Sequence, residues 1–346
     1  MAPVSAAFAQ TPRGRSVRID WDEQPLSGFE SRPLSELASL YDLLVIDHPH
    51  VGEAAGCLLP LPMIADAFVG PSLASYIQDG QLWAVPIDAA CHVSAYRTSS
   101  MPGAPSDWSQ VRELAQVGTR IGLPLAGVHA LMGMCTLLAS LGAELSPERG
   151  WPDDDAMAEA ATLYRWLVSV SDRRSLRWNP IQALEALDAG VVDYIPMTFG
   201  YSGFATAALR FAPVPAWTPE HGPTGAGVLG GTGLAVSSST RHTEAAIAFA
   251  QFAASEWTQV NQWAQNGGQP AHRAAWEKLA VPGTFYGDTL AAFARAYVRP
   301  RFPGWNALQT RLGHTIETWL ADDSASIRDL IKRLWTDWET SRELVV

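Results

Sequence analysis

The run Asp47-His48-Pro49-His50 is the part of the sequence whose residue types most clearly suit chemistry. Imidazole and carboxylate groups are common ligands of zinc and iron, so the run could hold a metal ion. It could also hydrogen-bond a polar ligand, or form a purely structural loop. The other histidines form no second cluster, and Pro49 would fix the directions of its neighbours. We therefore expect hydrogen bonding to a ligand, with no metal and no cofactor.

Other candidate contacts come from one acidic and two aromatic residues. Asp88 follows an apolar strand-like run, where it can accept hydrogen bonds from ligand hydroxyls or remain a solvated carboxylate. We expect Tyr201 and Trp305 to lie in glycine-containing loops rather than on periodic apolar stripes. A flat aromatic ring can stack on the C–H face of a sugar. A place in the core is the alternative for each ring, although 14 tryptophans in 346 residues exceed what a core needs.

Motifs typical of enzymes are missing from the sequence. There is no Gly-x-Ser-x-Gly nucleophile motif and no phosphate-binding P-loop. Gly225, Gly227 and Gly230 match Gly-x-Gly-x-x-Gly, but a strand rather than a helix follows them. Cys91 and His92 are neighbours on a predicted strand, so their side chains would point to opposite faces. We expect a binding protein without catalytic activity, and buried, unpaired cysteines.

Composition narrows the possible partners. The formal net charge is −11, with 24 Lys and Arg against 35 Asp and Glu, which disfavours binding to nucleic acid. Hydrophobic residues make up 47% of the chain, which excludes a mainly disordered state. No apolar run reaches the length of a membrane span. We expect a monomer of two lobes that binds a small molecule.

Alternating strands and helices predict the α/β class. The apolar run 41–46 predicts a strand buried in a parallel sheet, and the polar run follows its carboxyl end, where open α/β sheets bind ligands. The predicted strands are 17–21, 41–46, 82–87, 91–96, 191–195 and 225–237, and the predicted helices are the end of one in 1–10, then 27–38, 106–115, 132–141, 153–170, 180–189, 243–254 and 327–338.

Several segments, in order, resemble family 1 extracellular solute-binding proteins, the receptors of ABC importers that include maltose-binding proteins. These segments are Tyr41–Gly52, Asp79–Asp88 running on to Arg97, Pro105–Trp108, Gly230–Ser237 with Thr243–Phe252, and Asn266–Pro270. The resemblance implies a two-lobe, type II periplasmic-binding-protein-like fold. Each lobe would be a mostly parallel sheet flanked by helices, hinged around a ligand cleft. The expected lobes are 1–92 with 229–275, and 93–228 with 276–346.

The resemblance also implies a site and a function. Its ligand contacts would be Asp47, His48, His50, Asp88, His129, Tyr201, Gly231, Thr232 and Trp305, with the carboxylate of Asp88 displaced by two positions from its counterpart in the family. The protein would capture a carbohydrate or polyol for ABC transporter permease subunits, in the periplasm or outside the cell. The sequence shows no signal peptide, so a cytoplasmic location is the alternative, and a metal-dependent hydrolase using Asp47, His48 and His50 is the competing function. Family members begin with a strand and loop ahead of the helix that 1–10 resembles, and we expect these to lie outside the given sequence.

Overall fold

A computed structural model describes residues 1–23, 32–65, 67–146, 150–217 and 225–343. The strands are β1 (Leu43–Ile46), β2 (Ile77–Gln78), β3 (Gln81–Leu82), β4 (Val85–Arg97), β5 (Tyr194–Phe199), β6 (Leu209–Pro213) and β7 (Leu229–Val236). The helices are α1 (Ala2–Phe8), α2 (Leu34–Leu40), α3 (Trp108–Gln116), α4 (Val128–Leu141), α5 (Asp154–Ser169), α6 (Pro180–Asp188), α7 (Thr243–Ala254), α8 (Glu256–Thr258), α9 (Arg273–Leu279), α10 (Phe285–Thr289), α11 (Trp305–Leu320) and α12 (Ile327–Glu343). Part of the predicted helix 27–38 lies outside the described residues.

The chain divides into two compact units, each built from three separate stretches. Unit 1 consists of Met1–Ala90, Gly230–Ala280 and Arg301–Pro303. Unit 2 consists of Cys91–Leu229, Val281–Pro300 and Gly304–Val346. The expected assignment of residues to lobes of the family type stays a prediction.

Unit 1 is organised around β1 and β7. β1 pairs antiparallel with β7, and its apolar residues alternate between half-buried and buried positions. Phe249 of α7 packs against Phe8 of α1 and Trp21, with ring centroids 5.3 and 6.0 Å apart. The segment predicted as strand 17–21 has no regular secondary structure and pairs with no described strand, so that prediction was wrong.

Two long strands carry the chain between the units. The predicted strands 82–87 and 91–96 are largely one 13-residue strand, β4, which passes from unit 1 to unit 2 after Ala90. β7 returns the chain to unit 1 after Leu229. Because β4 runs without a break from Val85 to Arg97, the backbone stays extended through Asp88.

Unit 2 contains the longest helices. α4 is buried along nearly its whole length and is covered by α5 and α11. Gly313 of α11 lets the two backbones meet, because a Cβ there would lie 2.8 Å from the carbonyl oxygen of Gly127. α3 begins as predicted, since the Asp107 side chain caps it by accepting from the Gln110 N–H at 3.0 Å. The predicted helices 153–170, 180–189, 243–254 and 327–338 are confirmed to within a few residues.

The α/β class is confirmed, but the strand pairing differs from the mostly parallel sheets that we expected. β1–β7, β2–β3, β4–β5 and β4–β6 are all antiparallel. Among the described residues, parallel pairing is limited to single bridges such as Ile121 with Tyr194 and Val228 with Tyr297. An apolar run indicates that a strand is largely buried, but it does not report the direction of the neighbouring strands.

Two smaller expectations concern the burial of the cysteines and the presence of membrane-spanning helices. Cys91 and Cys135 are buried and unpaired as expected, whereas Cys57 is half-buried. Burial raises the pKa of the Cys135 thiol to about 12, so it behaves as a small apolar side chain. None of the helices in the described ranges is long and apolar enough to cross a bilayer.

Candidate functional site

Most of the predicted contacts come together at one end of the sheet in unit 1. β7 lies between β1 and β4. Ile46, the last residue of β1, is opposite Gly233, which places Asp47 next to Thr232 in the sheet. On the other side of β7, a Cβ on Gly231 would lie only 2.4 Å from the carbonyl oxygen of Asp88. The two acidic residues therefore lie on either side of Gly231 and Thr232.

The polar run after β1 forms a short 3₁₀ helix, His48–Glu53, rather than an open loop. Asp47 caps this helix, and its carboxylate accepts from the His48 N–H at 2.7 Å. The His48 Nδ1 lies 3.0 Å from the same carboxylate, and the His50 Nδ1 lies 3.0 Å from the Asp47 carbonyl oxygen. In the described part of the chain, no three His, Cys, Asp or Glu side chains are grouped to hold a metal ion. Hydrogen bonds to Asp47 thus hold the His48 backbone and the His50 imidazole, and the His48 imidazole lies beside the Asp47 carboxylate.

Tyr76 is a residue of this region that sequence reasoning missed. Its ring is buried, and its hydroxyl donates to the Ile46 carbonyl oxygen at 3.3 Å. Its ring also lies edge-on to His48, with centroids 6.4 Å apart. A Cβ on Gly233 would lie 2.8 Å from the ring, so this glycine makes room for it. The glycines of β7 were the available signal, because they mark a close approach by another group.

Asp88 carries a carboxyl group that titrates close to neutral pH. Its side chain is partly exposed, and the Gln269 N–H donates to it. Burial nevertheless raises the pKa of Asp88 to about 7, because removal from water disfavours the charged form. Gln269 also donates through Nε2 to the Ala89 carbonyl oxygen at 2.8 Å. Gln269 lies in the segment that carried part of the family resemblance, but it was not predicted as a site residue.

The raised pKa of Asp88 predicts a pH-dependent stability. The unfolded carboxyl ionises near its ordinary pKa of 3.8, so stability falls as the pH rises from 4 towards 7 and stays reduced above it. We expect Asp88→Asn to be more stable than the wild type by about 1–2 kcal/mol at pH 8, after allowing for partial exposure. Urea denaturation at pH 4.5, 6 and 8 should show this difference shrinking at the lowest pH. A difference that grows towards low pH would contradict it, and Glu277→Gln, at an exposed position of α9, serves as the control.

The remaining predicted contacts belong to unit 2 and lie on separate elements. His129 is half-buried in the first turn of α4, and burial together with the positive charge of Arg299 lowers its pKa to about 4. Tyr201 is half-buried directly after β5, before the short helix Ser202–Phe204. The His129 imidazole is therefore uncharged at neutral pH. Their contact with a ligand stays a prediction.

Trp305 does not lie in an open loop. It is the first residue of α11 and is fully buried. Its ring lies nearly perpendicular to that of Trp338 on α12, with centroids 6.3 Å apart. The expected loop position was wrong, because Gly304 adopts a positive φ of 84° and starts the helix directly. Stacking of Trp305 on a ligand stays a prediction.

Two further buried polar residues of unit 2 were missed. His92 on β4 is almost fully buried, its Nδ1 lies 2.8 Å from the Thr136 hydroxyl, and its ring lies edge-on to Phe199. Burial and the positive charges of His129 and Arg299 lower the pKa of His92 to about 3. Arg299 is also buried, and it donates to the Gln309 side chain at 3.3 Å. Residue type and spacing give no signal for either position.

The sequence and the fold identify the class of protein. The family model for bacterial extracellular solute-binding proteins matches residues 31–280, which is well over half of the chain. The chain belongs to this family, and the resemblance seen in the sequence is confirmed. No curated protein is significantly similar to it in sequence.

Solved structures agree with this assignment at the level of fold. Maltose-bound MalE3 of T. maritima superposes with a TM-score of 0.83 at 19% identity, covering 98% of this chain and 95% of that one. An Agrobacterium radiobacter ABC transporter solute-binding protein in complex with ribitol gives 0.79 at 16% identity, covering 98% and 96%. One from Agrobacterium vitis with bound D-mannitol gives 0.76 at 18% identity, covering 99% and 95%. At these identities the similarity establishes a shared fold.

Proposed function

We propose that the protein is a receptor that captures a small carbohydrate or polyol for an ABC transporter, without chemically changing it. It would act as a monomer, in the periplasm or outside the cell, and deliver the solute to permease subunits. Membership of the extracellular solute-binding family supports this role. The maltose, ribitol and D-mannitol named for structurally similar proteins support the class of ligand.

The observation that carries the proposal is the polar end of the sheet in unit 1. Asp47 and Asp88 lie on either side of Gly231 and Thr232, so two carboxyl groups and a hydroxyl come from adjacent strands. Ligand hydroxyls donate well to carboxylates, and such charge-assisted hydrogen bonds are shorter and stronger than neutral ones. Asp88, with a pKa of about 7, can also donate when protonated. This combination suits an uncharged ligand with many hydroxyl groups.

Ligand-dependent thermal unfolding tests the proposal. The protein is titrated with maltose, D-mannitol and ribitol, and with citrate and glutamate as charged comparison solutes. We expect one sugar or polyol to raise the Tm, with a stabilisation of about 2.7 kcal/mol at a hundred times its Kd. Absence of any rise for the sugars and polyols, or conversion of the bound solute to a product, would contradict the proposal.

Substitutions of candidate-site residues test where the ligand binds. We expect Asp47→Asn with Thr232→Val to weaken binding of the responding ligand at least tenfold, because a charged acceptor and a hydroxyl are removed together. Isothermal titration calorimetry gives the Kd directly. Glu277→Gln changes a carboxylate to an amide at an exposed position of α9 and should leave the Kd unchanged. Equal Kd values for the wild type and the double variant would exclude this end of the sheet as the binding site.

A further inference from the structure

The carboxyl group of Asp88 has spare hydrogen-bonding capacity at the polar end of the sheet in unit 1. An ionised carboxyl group offers about four lone-pair positions. In the described part of the chain, the Gln269 N–H is the one hydrogen-bond donor that acts on it. The Asp88 side chain is partly exposed, so a solute can reach it. A single bound group that carries several donors can therefore bind to this carboxyl group.

The elements in contact with the backbone of β4 at this point bring no positive charge to Asp88. β7 has no titratable side chain, and segment 266–272, which hydrogen-bonds to Ala89, has His272 as its one titratable side chain. Beyond β7, at the end of β1, the titratable groups are Asp47, His48 and His50. Among the described residues, no cation shifts the pKa of Asp88. Because a carboxylate withdrawn from water needs a cation close to it, a cation supplied by the solute would stabilise this one.

The balance of donors and acceptors at this end of the sheet favours an amine over a hydroxyl. Asp47 and Asp88 lie on either side of β7, two strand spacings or roughly 10 Å apart. Their carboxyl groups and the Thr232 hydroxyl offer many more acceptors than donors. A protonated amine supplies three donors and a positive charge, whereas a hydroxyl supplies one donor. Hydrogen bonds from a charged donor to a carboxylate are also about twice as strong as neutral ones.

We propose that the solute carries an amino group that binds to Asp88, so that the ligand class is an amino sugar or amino polyol rather than a solute with hydroxyl groups alone. This inference rests on the proposed function and narrows its ligand class. The hydroxyl groups of the solute would bind to Asp47 and Thr232.

The amine and the carboxyl group would form a pair without net charge. Burial raises the pKa of Asp88 to about 7, so the free carboxyl group is partly protonated at neutral pH. An uncharged amine would take the proton of Asp88 and become an ammonium group. A solute that arrives as an ammonium ion would instead cause Asp88 to release its proton to water. In both cases the bound state is an ammonium group beside a carboxylate.

Matched pairs of solutes test the proposal by isothermal titration calorimetry at pH 7. The pairs are D-glucosamine with D-glucose, D-galactosamine with D-galactose, 1-amino-1-deoxy-D-glucitol with D-glucitol, and 1-amino-1-deoxy-D-mannitol with D-mannitol. The members of each pair differ by the replacement of one hydroxyl group with an amino group. We expect the amine of at least one pair to bind at least tenfold more tightly than its hydroxyl counterpart.

Two variants with the same change of side chain locate the amine. Asp88→Asn should reduce the preference for the amine to less than threefold, because the carboxylate is removed. Asp47→Asn, on the other side of β7, should weaken both members of the pair and leave their ratio unchanged. Glu277→Gln, at an exposed position of α9, should change neither Kd.

Proton release is an independent readout of the same contact. At pH 6 the free Asp88 carboxyl group is mostly protonated, because its pKa is about 7, and the amines are mostly charged. Binding of the amine should therefore release close to one proton. Calorimetry in phosphate and ACES buffers, whose ionisation enthalpies differ, counts the protons released. Asp88→Asn should release none.

Three outcomes would overturn the proposal. These are absence of a tenfold preference for the amine in every pair, a preference that survives Asp88→Asn, and a preference that Asp47→Asn removes as fully as Asp88→Asn does. Binding of the hydroxyl solutes without a preference for amines would overturn the amine contact and leave the receptor function standing. Failure of every solute to bind, with or without an amino group, would contradict both.

Discussion

Replacing Gly231 with alanine should lower the free energy of unfolding by about 3 kcal/mol, combining backbone strain with a steric clash. Gly231 has a φ of 98°, which side-chain-bearing residues rarely adopt. The new Cβ would lie 2.4 Å from the Asp88 carbonyl oxygen and 2.8 Å from the Ala89 Cα, so β4 and β7 would have to move apart. Because both strands carry candidate ligand contacts, solute affinity should fall as well. Urea denaturation measures the first effect and calorimetric titration the second.

Gly267→Ala is the matched control for the steric part of this effect. Gly267 belongs to unit 1 and has a similar φ of 80°, but a Cβ there would meet no atom within 4 Å. We expect a loss of about 1 kcal/mol, from backbone strain alone. If Gly231→Ala and Gly267→Ala lose equal amounts, the close approach of β4 to β7 is not what requires glycine at position 231.

Trp305→Ala should lower the free energy of unfolding by about 3–5 kcal/mol, as expected for deleting a fully buried indole. Trp305 is completely buried at the start of α11 and packs against Trp338 of α12. Truncation would leave a large cavity between two helices that cannot easily collapse. Trp305→Phe should lose much less, because it keeps an aromatic ring in the same place. Thermal and urea unfolding at pH 7 measure both variants.

The same experiment separates a core role for Trp305 from a ligand-stacking role. Trp257→Ala is the control for tryptophan truncation, because Trp257 is 54% exposed and should lose no more than about 1 kcal/mol. A stacking residue would instead lose solute affinity while the Tm of the ligand-free protein hardly changes. A small change in stability with a large rise in Kd for Trp305→Ala would therefore contradict the core assignment.

The sequence predicted helices and strands well wherever a single local pattern, such as a helix cap or an apolar run, was strong. The helix predicted over 106–115 is confirmed as α3, and a short acidic side chain, Asp107, caps it as expected at a helix start. The strand ending at Ile46 followed from its apolar run. The order of five motifs, rather than any one of them, predicted the family. The grouping of Asp47, Gly231, Thr232 and Asp88 depends on strand order, and it was predicted only through that resemblance.

Other features depend on contacts that sequence spacing does not report. The burial of Trp305 depends on Trp338, more than thirty positions later, so a glycine before it looked like a loop. Tyr76 hydrogen-bonds to Ile46 at the end of β1, and His92 packs against Phe199 of β5, so both contacts join residues far apart in the sequence. Val17–Trp21 has the alternation of a strand, but a strand also needs a partner, and none of the described residues supplies one. Periodicity predicts conformation, whereas pairing is a property of the whole fold.

Unit 1 is assembled from stretches far apart in the sequence, and this affects how the chain folds as it is synthesised. β1 pairs with β7, whose residues follow almost two hundred positions later, and Ser237 also hydrogen-bonds to the Ala38 carbonyl oxygen. At translation rates of about 5–20 residues per second, the amino-terminal part of unit 1 waits on the order of ten seconds or more for its partner strand. During that interval α3, α4, α5 and α6 of unit 2 are synthesised, whereas α11 and α12 follow β7. We expect chaperone dependence during synthesis to be concentrated in the first ninety residues.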